Sequence, residues 1–204
     1  MSQPPRLSIV IAAYNEERRL PRTLDQMLAY LAHHFDASYE IIIVDDGSQD
    51  DTARLIEAYS KSHPQVRLVR QSPNRGRGMA MRVGVRESFG ELILETDADG
   101  SVNDEAIPRF VRYLERHPSI DVLIGSRNSE GAHILTPQPF FRVFLGYVFL
   151  YLAKALWGWD IYDYTLGFKL FRREAALDIY SHQFDDGFLA EGEIVFVARR
   201  RGWR

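Results

Sequence analysis

Asp97-Ala98-Asp99 follows the apolar run Leu92-Ile93-Leu94, and Asp45-Asp46 follows Ile41-Ile42-Ile43-Val44. Short apolar runs of this kind read as buried parallel strands, and open α/β sheets bind ligands in the crevice outside the carboxyl ends of their strands. Two carboxylates there would repel unless a hard divalent cation or a ligand hydroxyl neutralised them, which makes Mg²⁺ or Mn²⁺ the natural occupant beside Asp97 and Asp99. Such a cation keeps several waters and shares its other positions with substrate phosphates, so one Asp and a pyrophosphate would suffice. The same Asp-x-Asp can also cap a following helix or sit solvated in a turn. Asp46, an acceptor-only group, can take the imide N–H of a uracil, while Asp45-Asp46-Gly47-Ser48 also has the makings of a turn and N-cap.

Asn74-Arg75-Gly76-Arg77-Gly78 puts two glycines and two guanidiniums just before a helix, where backbone N–H groups, helix dipole and Arg forks could face phosphate. The motif lacks the Lys-Ser/Thr ending of a P-loop, and no GxGxxG follows the first strand, so neither an ATPase nor a nicotinamide dehydrogenase is supported.

The elements that must carry these residues alternate regularly. Strands are expected at 7–12, 40–44, 66–69, 91–96 and 122–125. Between them Pro21 opens a helix with the apolar stripe Leu20, Leu24, Met27, Leu28 and Leu31. Ser48 with Asp51 resembles a capping box for a helix reaching about residue 63. The glycine-containing loop leads into a helix ending near Ser88, and Asn103 or Asp104 caps another ending about His117. Strand-helix alternation with short connections predicts an α/β fold with a doubly wound, mostly parallel sheet flanked by helices and right-handed crossovers. After Arg127 the regularity fails. A polar loop precedes 140–159, rich in Phe, Leu, Tyr and Trp, whose uncharged interval 143–153 is eleven residues, short of the roughly 20 needed to span a bilayer. That stretch reads as a core or subunit-contact helix, through which an oligomer could form, or as an interfacial helix in lipid headgroups.

At 204 residues the chain suits one domain with a sizeable core, with a ligand half at about 1–127 and a second half at about 128–204. A net charge of -3 gives no general basic field, so nucleic acid is not an expected partner. The lack of cysteine excludes disulfides and thiolate metal sites and fits a reducing compartment. Met1 to Pro5 leads straight into a strand without signal-peptide regions, making a cytoplasmic location the default. Gly202 reads as a helix stop and Trp203 as the start of something further, so the expectation is a chain cut before a segment that could carry membrane anchors.

Taken together, Ile11-Ala12-Ala13-Tyr14-Asn15-Glu16-Glu17, Asp45-Asp46-Gly47-Ser48, Asn74-Arg75-Gly76-Arg77-Gly78, Asp97-Ala98-Asp99 and Gly125-Ser126-Arg127 resemble, in order and spacing, the family 2 glycosyltransferases of GT-A fold. The segment from Asp163 to Ala176, with Gly167-Phe168-Lys169-Leu170-Phe171, is similar to that of the dolichyl/polyprenyl-phosphate glucosyltransferase branch. The resemblance implies that Ala13, Tyr14 and Glu16 border the nucleotide of a nucleotide-diphosphate sugar, Asp46 the uracil, and Arg75, Gly76 and Arg77 the base and ribose rim. It further implies that Asp97 contacts the ribose and donor sugar, that Asp99 binds the divalent cation, and that Arg127 lies near the phosphates. Arg142 would receive the acceptor phosphate, and Lys169, by its charge in the same aromatic half rather than by the resemblance, is a second candidate for it. Two departures stand out. Ser101 replaces the Gln that dolichyl-phosphate mannosyltransferases often carry, and Ala190-Glu191-Gly192-Glu193 stands where glucosyl relatives tend to show Phe-Asp-x-Glu.

The implied reaction inverts the anomeric carbon through an oxocarbenium-like state, with a cation on Asp99 and the Arg127 guanidinium balancing charge on the departing diphosphate. A polyprenyl or dolichyl phosphate acceptor is already an anion and needs cations more than a base. The basic and aromatic second half favours that acceptor, met at the cytoplasmic face of a membrane. The alternatives are transfer to a saccharide hydroxyl, with Asp163, Glu191 or Glu193 as base, and a nucleotide-sugar-binding partner subunit without activity.

Overall fold

The computed structural model describes residues 4–35, 38–101, 103–126, 166–187 and 189–204. Arg127, Arg142, Asp163 and the aromatic segment 140–159 lie outside them.

Strands β1 (Leu7–Ala13), β2 (Tyr39–Asp46), β3 (Val66–Gln71) and β4 (Leu92–Asp97) are mutually parallel. They are followed in turn by α1 (Leu20–His34), α2 (Thr52–Ser62), α3 (Arg77–Glu87) and α4 (Ala106–Arg116). The described chain then runs through β5 (Val122–Ile124), β6 (Phe168–Arg172), α5 (Arg173–Ser181) and α6 (Ala190–Arg200). The sheet order is β3-β2-β1-β4-β6-β5.

Successive side chains of a strand point to opposite faces, and both faces of this sheet are covered. Ile9, Ile11, Ile41, Ile43 and Leu94 pack with the apolar stripe of α1 and with Ile56, Ile107 and Val111 from α2 and α4. Val10, Ile93 and Phe171 pack on the other face with Met81, Val85, Ala175, Ile179 and Ile194 from α3, α5 and α6. This is why the strands read as unbroken apolar runs.

Three local expectations need correction. The segment 168–172 was not expected as a strand, yet β6 pairs antiparallel with β4 on one side and β5 on the other. It therefore separates β4 from β5, which the regular alternation would have placed side by side. The capping box at Ser48 does not form: Ser48 Oγ accepts from the Asn15 N–H at 3.0 Å, tying the β2–α2 turn to the β1–α1 turn, while Asp50 Oδ1 takes the Thr52 N–H at 3.0 Å. Asn103 does accept the Glu105 N–H at 3.1 Å, but no side chain caps α4 in the helical sense. Gly202 does end α6, at φ +85°, and Arg204 returns to the sheet, its carbonyl accepting the N–H groups of Asp121 and Val122 at 2.6 and 2.8 Å.

Candidate active site

β1 lies between β2 and β4, so the chain leaves β1 in one direction to build β2 and β3 and crosses to its other side for β4. At such a reversal the loops diverge and leave a crevice beyond the carboxyl ends. The crevice here has a volume of about 340 Å³ and is lined by Ala12, Ala13, Tyr14 and Glu16 from β1 and its loop, Asp46 from β2, Asn74, Gly76 and Arg77 before and in α3, and Asp97, Ala98 and Asp99 from the end of β4. Its size falls within the range of small-molecule sites, roughly 300–1,000 Å³. The acidic ends of β2 and β4 and the glycine-containing loop thus meet in one place.

The loop takes its shape from Asp46, whose Oδ1 accepts the Arg75 N–H at 2.9 Å and Oδ2 the Gly76 N–H at 2.8 Å; the Gln71 side-chain amide also donates to Oδ1. Gly76 has φ +97°, and a Cβ there would lie 2.6 Å from the Asp186 carbonyl oxygen, so only glycine fits. Arg75 pairs with Asp186 at 3.1 Å and is not among the residues lining the crevice. Tyr14 is exposed at the rim, and Glu16 forks onto Arg19, with Nε to Oε2 at 2.7 Å.

Asp97 accepts from Arg77 Nε at 3.1 Å and Nη2 at 2.9 Å, both at Oδ1. Asp99 accepts the Ser101 N–H at 2.9 Å, also through one oxygen. Among the described residues no three His, Cys, Asp or Glu side chains assemble as a ready-made metal cage. Two hard carboxylates in one cleft, each given a hydrogen bond at only one oxygen among the described residues, instead fit a hard divalent cation that would complete its shell with ligand phosphate and water.

Lys169 and Glu191 do not stand where an acceptor would meet them. Lys169 is 0% exposed, and its ammonium donates to Glu95 Oε1 at 2.7 Å, to the Leu166 carbonyl at 2.9 Å and to Glu191. All three protons are engaged, so the expected role in binding an acceptor phosphate is corrected to one of internal pairing. Glu191 is also buried and bridges Lys169 to Arg77. Burial pulls the Lys169 ammonium below its ordinary value, against the pull of Glu95. Burial alone would raise the Glu95 carboxyl, but Lys169 and then Arg77 outweigh it and hold Glu95 below the usual range. Tyr180 donates its hydroxyl to Glu95 and is pushed well above the ordinary phenol value by burial and then by Glu95.

Glu95, Tyr180 and Asp186 were missed by sequence reasoning. Glu95 and Lys169 carried a signal, each being a charge inside an apolar strand run, and such residues are almost never buried unpaired. Their pairing was not readable, because it depends on the β4–β6 register that sets Glu95 directly opposite Lys169.

The sequence model of glycosyl transferase family 2 matches residues 8–179. Among curated relatives, the dolichyl-phosphate beta-glucosyltransferase of Mus musculus is 35% identical over 208 residues, covering 97% of this chain and 64% of its own length. A protein of the same description from Trichomonas vaginalis, ALG5C, is 36% identical over 202 residues, covering 95% of this chain and 60% of its own. The chain thus spans about three-fifths of the length of these relatives. Solved structures of similar fold include a Pyrobaculum calidifontis mannosyltransferase in complex with GDP-Man and Mn²⁺, with TM-score 0.66, 21% identity, and coverage of 100% of this chain and 54% of that one. Another is the Mycobacterium tuberculosis glucosyl-3-phosphoglycerate synthase in complex with Mn²⁺, UDP-glucose and phosphoglyceric acid, with TM-score 0.70, 20% identity, and coverage of 97% and 66%. At these identities the structural likeness establishes the GT-A fold.

Proposed function

The chain belongs to glycosyl transferase family 2, and from that premise we propose that it moves glucose from a UDP-linked donor to a polyprenyl or dolichyl phosphate at a membrane surface, inverting the anomeric centre. The observation that carries the reading is the single cleft at the ends of β1, β2 and β4 in which Tyr14, Asp46, Asp97 and Asp99 meet. The nature of the curated relatives supports the choice of glucose and of the lipid phosphate.

In this reading Asp46, which still has acceptor capacity beside the two loop N–H groups, faces the uracil, and Ala13, Tyr14 and Glu16 border the nucleotide. Gly76 and Arg77 line the ribose side, and Asp97 orients the ribose and the donor sugar. Asp99 holds the divalent cation. A bound Mg²⁺ or Mn²⁺ supplies charge neutralisation for the departing diphosphate. Arg127 and Arg142, outside the described residues, are assigned to the diphosphate and the acceptor phosphate from sequence alone.

The choice between acceptors follows from the candidate bases. A saccharide hydroxyl must lose a proton, whereas a phosphate monoester, with a second pKa near about 6, attacks as an anion. Glu191 has both oxygens on cations, and Glu193 takes the N–H groups of Phe184 and Asp185, both at 2.7 Å. Neither is aimed at a substrate hydroxyl, which favours the phosphate acceptor; Asp163, the third candidate base, lies outside the described residues. Among the described residues no helix is long and apolar enough to cross a membrane; attachment to the membrane surface is part of the proposal and rests on the lipid-phosphate acceptor.

Asp99→Ala is expected to remove cation-dependent transfer from UDP-glucose by about a hundredfold or more, measured as released nucleotide across an Mn²⁺ titration. Transfer with an unchanged metal dependence would overturn the role of Asp99.

A further inference from the structure

Behind the cleft, charges of alternating sign follow one another through four elements. Asp97 on β4 pairs with Arg77 on α3, Arg77 with Glu191 on α6, Glu191 with Lys169 on β6, and Lys169 with Glu95 back on β4, where the Tyr180 hydroxyl closes the chain. Each inner link is saturated. The Lys169 ammonium spends its three protons on Glu95, Glu191 and the Leu166 carbonyl, and Glu95 gives one oxygen to Lys169 and the other to Tyr180. Only the Arg77–Asp97 end reaches the cleft.

Stability alone is a weak explanation of this arrangement. Desolvating several ions costs more than their attraction returns unless the geometry is very good, and apolar replacements of buried ion sets are often neutral or stabilising. What the set provides is a fixed guanidinium: Arg77 is held by Glu191 at one end of its fork and holds Asp97 Oδ1 with Nε and Nη2 at the other. The start of β6 closes in on the same pair, since a Cβ on Gly167 would lie 2.6 Å from both Arg77 Nη2 and Asp97 Oδ1. Without Glu191, a partly exposed Arg77 would lose one anchor of its fork and with it the fixed hold on Asp97.

We propose that Glu191 and Lys169 are positioning residues which, through Arg77, fix the Asp97 carboxylate in the geometry that receives the donor sugar nucleotide. The inference rests on the assignment of the cleft to a sugar-nucleotide donor. It gives Glu191 a role in donor binding rather than in proton abstraction from an acceptor.

The test is a double-mutant cycle read by calorimetric titration of UDP-glucose in the presence of Mn²⁺, with no acceptor required. Asp97→Asn and Glu191→Gln are each expected to weaken donor binding about tenfold, the lower end of what loss of a supporting partner usually costs a site. The double variant should weaken binding by clearly less than the product of the two single effects, because Glu191 acts through the Arg77–Asp97 pair. A merely structural Glu191 would lower the melting temperature and leave donor affinity unchanged, and an independent one would weaken binding equally in both backgrounds; either result overturns the inference. If Glu191→Gln does not fold, the charge-balanced pair Lys169→Met with Glu95→Gln enters the same cycle with the same expectation. Wild-type protein that binds neither UDP-glucose nor GDP-mannose would instead remove the proposed function on which the inference rests, a failure visible before any variant is made.

Discussion

Asp46 does two things with one carboxylate. It faces the cleft, and it holds the backbone N–H groups of Arg75 and Gly76, so the loop and the candidate base-recognition group form one unit. The loop is pinned from outside by Asp186, whose carboxylate pairs with Arg75 and Arg82, each at 3.1 Å, and whose carbonyl takes the Met79 N–H at 3.0 Å. Gly76 sits between these two anchors at a φ that other residues rarely adopt. Gly76→Ala is expected to cost about 2 kcal/mol through backbone strain and the clash with the Asp186 carbonyl, seen as a lower denaturant midpoint, together with weaker UDP-glucose binding. Unchanged stability and affinity would mean that the loop is not held as described.

Among the elements, β1 to β4 and their helices were legible because each local signal agreed with the next: apolar runs, the α1 stripe, the turn residues between them. Acids at two strand ends were also legible, since a charge directly after a buried run has to emerge at the sheet edge. β6 was not. Phe168-Lys169-Leu170-Phe171-Arg172 is a short apolar run broken by charge, and its pairing with β4, where Glu95 lies opposite Lys169, and with β5 makes it a strand. The end of the chain is similarly fixed by partners distant in sequence. Asp178 on α5 accepts from Arg201 at 2.8 and 3.0 Å and from the Trp203 indole N–H at 2.7 Å. The hydrogen bond from Arg201, then that from Trp203, hold its carboxyl down to about 2. Because the folded value lies below the unfolded one near about 3.9, this stabilisation is complete above about pH 4 and is lost as pH falls toward 2. Asp178→Asn should therefore cost on the order of 1 kcal/mol at pH 7, solvent screening included, and almost nothing near pH 2. Thermal melts at the two pH values distinguish this from a packing defect, which would cost the same at both.

At the scale of the whole molecule, a sheet that reverses direction at β1 creates a crevice, and the residues at its edge determine what enters it. The cleft brings together Glu16, Asp46, Asp97 and Asp99, and Arg77, the guanidinium lining it, is already shared between Asp97 and Glu191. In the proposed reading an anionic diphosphate would need added positive charge beside these described carboxylates, which a divalent cation would supply. The same fold would serve a saccharide or a lipid phosphate equally well, since fold alone does not determine chemistry. What separates them is that the described carboxylates nearest the role of base are occupied. The most direct measurement is transfer of labelled glucose from UDP-glucose, with Mn²⁺, to polyprenyl phosphate in phospholipid vesicles, with a soluble saccharide acceptor assayed alongside. Label is expected in the lipid phosphate, with β configuration and dependence on the cation. Label in the saccharide, or in neither acceptor while the donor is demonstrably bound, would contradict the proposed function.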